Sequence, residues 1–280
     1  MTALFTAAMA LREIGSRDPA SRVFQGELDD NWTIGPKVHG GVMVALCANA
    51  ARTAFGGGGL QPVAVSANFL SAPDSGAVRL VTLIRKRGRR ISVADVELMQ
   101  DDRTAVHAVV TLGEPEHHLP GQSEPLLSAN PVIGLMPPRP PDGPAPFLGR
   151  LAGLAHLGAG CDIRPVSSTM PSPGDGPPPD GRPPVIQMWA RPRDVATDAL
   201  FALMCGDLST PVTFAVDRTG WAPTVQLTAL LRSLPVDGWL RIVASCVEIG
   251  HDWFDEDHIV VDELGRLVVQ ARQLALVPPR

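Results

Sequence analysis

The chain has no tyrosine, only two lysines (Lys37 and Lys86), and four cysteines in 280 residues. Arginine supplies the other 22 of its 24 basic residues, the bias of a GC-rich coding sequence, so an arginine cluster here carries less information than it would elsewhere. The cysteines (Cys47, Cys161, Cys205, Cys246) stand far apart and match no zinc-ligand spacing. Three lie in apolar segments, where a buried reduced thiol is the ordinary outcome. No apolar run approaches the roughly 18 residues of a membrane-spanning helix. The opening MTALFTAAMALREIG lacks a basic leader, so it reads as a short capping helix of a cytoplasmic protein rather than a secretory signal. A net charge of −5 leaves no basic excess for nucleic acid. There is no G-x-S-x-G elbow, and FGGGGLQ lacks the Lys-Ser/Thr of a phosphate loop and follows a helical stretch, so it reads as a helix stop.

An apolar fraction of 45% against 19% charged supports a substantial core, in one large domain or two ordinary ones. The chain also contains itself twice. The stretch from Gln61 (QPVAVSANFLSAPDSGAVRLVTLIRK…) and the stretch from Ala222 (APTVQLTALLRSLPVDGWLRIVASC…) each run as a strand, a Pro-containing turn and three more strands. Pro73 and Gly76 match Pro235 and Gly238, Val78-Arg79 match Leu240-Arg241, and Asp102-Arg103 fall opposite Gly265-Arg266. An Ala/Leu/Met-rich helical stretch precedes each run: GGVMVALCANAARTAF in the first half and DALFALMCGDLSTPVTFA in the second. Strand candidates around Phe24–Asp30 and Gly158–Val166 precede the helices. The expected fold is α+β, each half one long helix wrapped by an antiparallel sheet, with domains at 1–115 and 147–280. A Pro-rich linker at 116–146 has no periodicity and contains the His117-His118 pair, which has no third ligand at a metal-like spacing.

One position breaks the strand pattern. In LGRLVVQARQLALV alternate residues Leu267, Val269, Ala271, Gln273, Ala275 and Val277 form one face, apolar but for Gln273. Burying an amide without partners costs roughly 1–3 kcal/mol, so Gln273 needs a reason to face inward. Its first-half counterpart is Val110.

The repeat, GPKVHGGVMVALCANAA, TVQLTALLRSLPVDGWLRI and DELGRLVVQARQLALV together resemble the acyl-CoA thioesterase II-like family, of actinobacterial type, whose fold is a tandem (double) hotdog. The resemblance covers the chain apart from two Pro-rich segments, the linker at 116–146 and the loop MPSPGDGPPPDGRPP at 170–184. It implies hydrolysis of a fatty acyl-CoA without metal or cofactor, by a water held between an Asp, a Thr and a Gln. These fall on Asp207 in the second-half helix, Thr224 and Gln273. Simple alternation puts Thr224 on one face with Gln226 and Thr228, so Thr228 is a rival; the first-half counterpart of Thr224 is Pro62 or Val63. His39, Gly40 and Gly41 at the first helix entry would meet the thioester carbonyl, and Arg87, Arg89 and Arg90 of RKRGRR would meet the CoA phosphates. The family's best-known members follow the Thr, after one residue, with Asp-His; here Gln226-Leu227 stand there. Two other readings stay open: a non-catalytic acyl-CoA-binding protein, and, through His39, an acyl-CoA hydratase or dehydratase. Assembly into a homo-oligomer through sheet faces is compatible with either.

Overall fold

The computed structural model describes residues 2–16, 19–57, 59–116, 125–143, 156–171, 174, 176, 178 and 180–279; His117-His118 and the expected boundary at 147 lie outside them. The first half contains α1 (Leu4–Ala8), β1 (Arg12–Gly15), β2 (Ser21–Leu28), a small hairpin of β3 (Thr33–Ile34) and β4 (Lys37–Val38), α2 (Gly40–Ala54), β5 (Gln61–Phe69), β6 (Gly76–Lys86), β7 (Ser92–Gln100) and β8 (Arg103–Gly113). The second contains β9 (Cys161–Pro165), β10 (Val185–Pro192), α3 (Ala199–Cys205), β11 (Thr224–Leu231), β12 (Leu240–Ser245), β13 (Trp253–Val261) and β14 (Leu267–Leu276).

All strands except the β3–β4 hairpin join one 12-stranded sheet in the order β1-β2-β6-β7-β8-β5-β11-β14-β13-β12-β10-β9, and every pairing in it is antiparallel. The two six-strand sets run in mirrored order and meet at β5–β11, where Ala64 to Asn68 pair with Leu230 to Gln226. A helix apolar on every side must be buried; α2 is buried almost throughout from Gly41 to Ala54 and packs against β5 to β8 and against α3. Its stop falls where expected, at Gly56 and Gly57, with φ of +90° and +65°.

The repeat is visible in the backbone. Gly76 and Gly238 adopt φ of +136° and +132°, and Asp102 and Gly265 adopt +60° and +82°. Both halves carry a one-residue bulge at the start of their first post-helix strand, between Pro62 and Ala64 and between Thr224 and Gln226. Pro62 lies opposite Leu112 and Thr224 opposite Ala275, so Pro62, not Val63, is the counterpart of Thr224.

Three expectations need correction. The strand leading into α3 is β10, which pairs with β12 as β2 pairs with β6; the strand within Gly158–Val166 is β9, an outer edge. VIQMWARP follows directly on a Pro/Gly-rich run, whose composition hides it. The second-half helix is short. Asp198 caps it by accepting from Phe201 N–H, and it ends at Cys205, where the chain turns to set Asp207 against Gly40 and Gly41; Asp207 therefore follows the helix instead of lying in it. Finally, part of the linker is built into the fold. Val132 and Met136 pack with Trp189, Trp239, Val243 and Val261 in a second apolar cluster. Buried Arg241 donates to Met136 O (3.2 Å) and Asp262 O (2.6 Å), and Trp189 Nε1 donates to Pro137 O.

Candidate functional site

Two helix ends meet at the centre of the molecule. The N-terminus of α2 abuts the turn that follows α3, and two glycines make the approach possible. A Cβ on Gly40 would lie 2.7 Å from Asp207 Oδ2 and 3.2 Å from Phe69 Cζ; one on Gly41 would collide with the Met204 carbonyl and lie 3.1 Å from Asp207 Cβ. The glycine pair read as making room for a substrate thus first makes room for Asp207. Gly206 seats that turn on β14, where a Cβ would lie 3.1 Å from Ala271 Cβ. His39, the residue before α2, donates from Nε2 to Asp207 O at 3.1 Å, and the Gly41 backbone amide hydrogen-bonds the Asp207 carboxylate. The Asp207 and His39 side chains are only 7% and 4% exposed. The Gly40 N–H, at the positive end of the α2 dipole, has no hydrogen-bond partner among the described residues.

The second part of the site is a relay across β11, β14 and β13. Because of the bulge at Val225, Thr224 faces the core beside Gln273 rather than outward with Gln226 and Thr228. Its Oγ1 donates to Gln273 Oε1 at 2.7 Å. Thr228 points the other way, bonded to Ser66 Oγ and Gln226 Nε2 on the outer face of the seam. Gln273 Nε2 donates to Glu256 Oε2 at 2.5 Å, from the residue directly across from it on β13. Glu256 Oε1 in turn accepts from Val212 N–H (3.0 Å) and Ser209 Oγ (3.1 Å), on the loop that follows Asp207.

Glu256, 1% exposed, was missed in the sequence. The signal was available: Phe254, Glu256, His258 and Val260 share one face of β13, and all are buried. The surrounding run HDWFDED reads as an acidic turn and concealed the alternation. No hydrogen bond joins Asp207 to Thr224 or Gln273 among the described residues; Glu256 and its loop contacts bridge the two parts.

Burial governs the electrostatics. It pushes the Asp207 carboxyl from 3.8 up to about 7, against the Gly41 amide, which favours the anion. Burial likewise pushes Glu256 up to about 7, opposed by its three hydrogen-bond donors and reinforced by the nearby charge of Asp207. His39 is pushed down to about 4 by burial, as is His258, so both are neutral imidazoles at physiological pH. His39 spends its Nε2 hydrogen on the Asp207 carbonyl and so holds the turn that carries Asp207. A carboxylate whose pKa is about 7 can take a proton from a water, and the open helix N–H beside it can stabilise an adjacent oxyanion. Among the described residues no three His, Cys, Asp or Glu side chains group as metal ligands.

The arginine turn lies elsewhere. Arg87 stacks on Phe55 at 4.6 Å from the ring centre, at the C-terminal end of α2 and thus about 22 Å along the helix from Gly40; Arg89 and Arg90 are exposed in the same turn.

Comparison with known proteins identifies the family and the type of fold. Residues 28–113 match the model of the acyl-CoA thioesterase N-terminal domain, and residues 136–277 that of the C-terminal domain. Uncharacterised proteins of Mycobacterium tuberculosis and Mycobacterium bovis are 70% identical, over 99% of this chain and 99% of theirs. Among solved structures, one from Thermobifida fusca provisionally named a thioesterase II superposes with a TM-score of 0.77 at 25% identity, covering 99% of this chain and 98% of that one. A protein of unknown function from Alicyclobacillus acidocaldarius with a hot dog fold does so at 0.73 and 18% identity, over the full length of both. The fold is therefore of the hotdog type.

Proposed function

The chain belongs to the acyl-CoA thioesterase family, which makes it a thioester hydrolase, and we propose that it cleaves a fatty acyl-CoA with a water held by Asp207, Thr224 and Gln273. Each six-strand set with its helix is read as one hotdog module, the two halves of the chain forming the pair that builds one site. The observation that carries the reading is the buried Asp207 carboxyl set against the glycine-paired start of α2.

The thioester carbonyl would lie at the α2 N-terminus, its oxygen on the Gly40 N–H. Charge developing on that oxygen in the transition state meets a fixed donor and the helix dipole, which cost no reorganisation. The water donates one hydrogen to Asp207 and the other to Thr224 Oγ1, which turns a lone pair towards the carbonyl carbon. Asp207 takes the proton as the C–O bond forms; the tetrahedral adduct then breaks its C–S bond, and the CoA thiolate recovers the proton from Asp207. The acyl chain gains roughly 0.8 kcal/mol for each methylene it buries. His39 acts by holding the Asp207 backbone in place. Arg87, Arg89 and Arg90 remain proposed contacts for the CoA phosphates, which would have to lie towards the far end of α2.

The first half lacks this chemistry. Pro62 and Val110 occupy the positions of Thr224 and Gln273, so one site per chain is expected. A second reading is binding without turnover, favoured by one observation: Gln273 is already hydrogen-bonded on both sides. Assay of free CoA released from short to very long acyl-CoAs separates the two. Turnover that falls as pH drops below about 7, where Asp207 gains its proton, supports hydrolysis; saturable binding with no CoA release on any chain length contradicts it.

A further inference from the structure

We infer that Glu256 is a positioning residue that fixes the hydrogen-bond polarity of the Thr224–Gln273 pair, so that Thr224 Oγ1 is left as an acceptor for the reacting water. The inference rests on the hydrolytic reading above and assigns β13 a part in it.

An amide can face its neighbours in two ways, and the choice matters here. With the Gln273 carbonyl towards Thr224, the hydroxyl spends its single hydrogen on Gln273 and keeps only lone pairs to offer. A water meeting it must donate, as a nucleophile should. With the amide reversed, its NH₂ would donate to Thr224, and the hydroxyl hydrogen would be free to occupy a lone pair of the water that the reaction needs. Glu256 decides between the two. Its Oε1 accepts from the Val212 N–H, a group that can only donate, and from Ser209; its Oε2 faces Gln273 at 2.5 Å. An ionised carboxylate has no hydrogen to give, so the Gln273 group facing it must be the NH₂. The same carboxylate accepts from Ser209 and Val212, on the loop that carries Asp207. Glu256→Gln keeps an acceptor oxygen for those two donors, so it changes only what faces Gln273.

The titratable groups around Glu256 are few. Asp207 lies on the adjoining loop, His258 follows on the same face of β13, His39 stands at the start of α2, and the Cys246 thiol, which burial pushes up to about 12, stays protonated. Asp255 and Asp257 project from the opposite face of β13. The two histidines stay neutral down to about 4, which leaves the window near neutrality to the two carboxyls, both pushed up to about 7. Protonated Glu256 can donate to Gln273 and release the amide to turn over. The acid limb of the rate profile is therefore expected to reflect two protons in the wild type and one in Glu256→Gln.

The test is a double-mutant cycle on CoA release, run with Glu256→Gln, Gln273→Ala, the double variant and Asp207→Asn. Glu256→Gln is expected to lower kcat at least about tenfold while leaving KM within about twofold, an orientation effect. In the Gln273→Ala background it should add less than about twofold, because it acts through Gln273. A normal kcat with an unchanged acid limb, or an equal loss in both backgrounds, overturns the inference. If Asp207→Asn abolishes turnover while Glu256→Gln does not, the positioning role alone fails; if the wild type releases no CoA, the hydrolytic reading fails and takes the role with it. Should Glu256→Gln not fold, Glu256→Asp keeps the charge but withdraws it by one methylene. A partial loss of kcat that vanishes in the Gln273→Ala background is then expected, and the same loss in both backgrounds overturns it.

Discussion

Gln273 was legible as a residue because strand alternation left it the one amide on an apolar face, and the structure supplies its reason for facing inward: Thr224 on one side and Glu256 on the other. Glu256 obeyed the same rule and was lost among acidic neighbours. What no alternation reveals is the cost of such groups. The folded value of Asp207, about 7, lies above the ordinary 3.8, so the native state holds a proton that the unfolded chain releases. Stability from this residue is present in full below about pH 4 and is lost as pH rises through 7. Asp207→Asn should therefore stabilise the protein as it inactivates it, by on the order of 2–4 kcal/mol near pH 8 and by less near pH 5. Thermal melts at the two pH values check this; equal shifts at both would mean that the carboxyl is not held near neutrality.

At the scale of the element, strand pattern and turn residues exposed the repeat, and α2 with its glycine stop followed from an apolar stretch and its punctuation. Thr224 was ambiguous because the bulge at Val225 inverts its face, and one extra residue in a strand leaves no mark in composition. α3 stops short because the chain must turn to bring Asp207 against Gly40 and Gly41, a tertiary demand that helix propensity does not register. The bulge makes a sharp prediction about two residues four apart. Thr224→Val should cost at least about tenfold in kcat by removing the acceptor for the water, whereas Thr228→Val, on the outer face, should leave kcat within about twofold. Steady-state CoA release reads both; equal effects would place the wrong threonine at the site.

At the scale of the whole molecule, the candidate site draws on both halves. His39, Gly40 and Gly41 come from the first half, and Asp207, Thr224, Glu256 and Gln273 from the second, joined by the β5–β11 seam and by the contact of α2 with α3. The resemblance read from the sequence supplied this pairing of halves; the seating of the linker was illegible, because Val132 and Met136 lie in a proline-rich run without periodicity. Met136, 2% exposed, packs on the side of the sheet away from the site, so Met136→Ala should cost roughly 2–5 kcal/mol of stability yet leave kcat at permissive temperature unchanged. A denaturant titration paired with the CoA-release assay distinguishes this from a linker that merely tethers, for which neither would move. The central claim, that Asp207 is the base of a thioester hydrolase, is tested most directly by measuring CoA release from acyl-CoA for the wild type and Asp207→Asn at the same pH. A general base contributes about 10²–10⁴-fold, so the account predicts robust release by the wild type and a loss of that order in a folded variant; release unaffected by the substitution would contradict it.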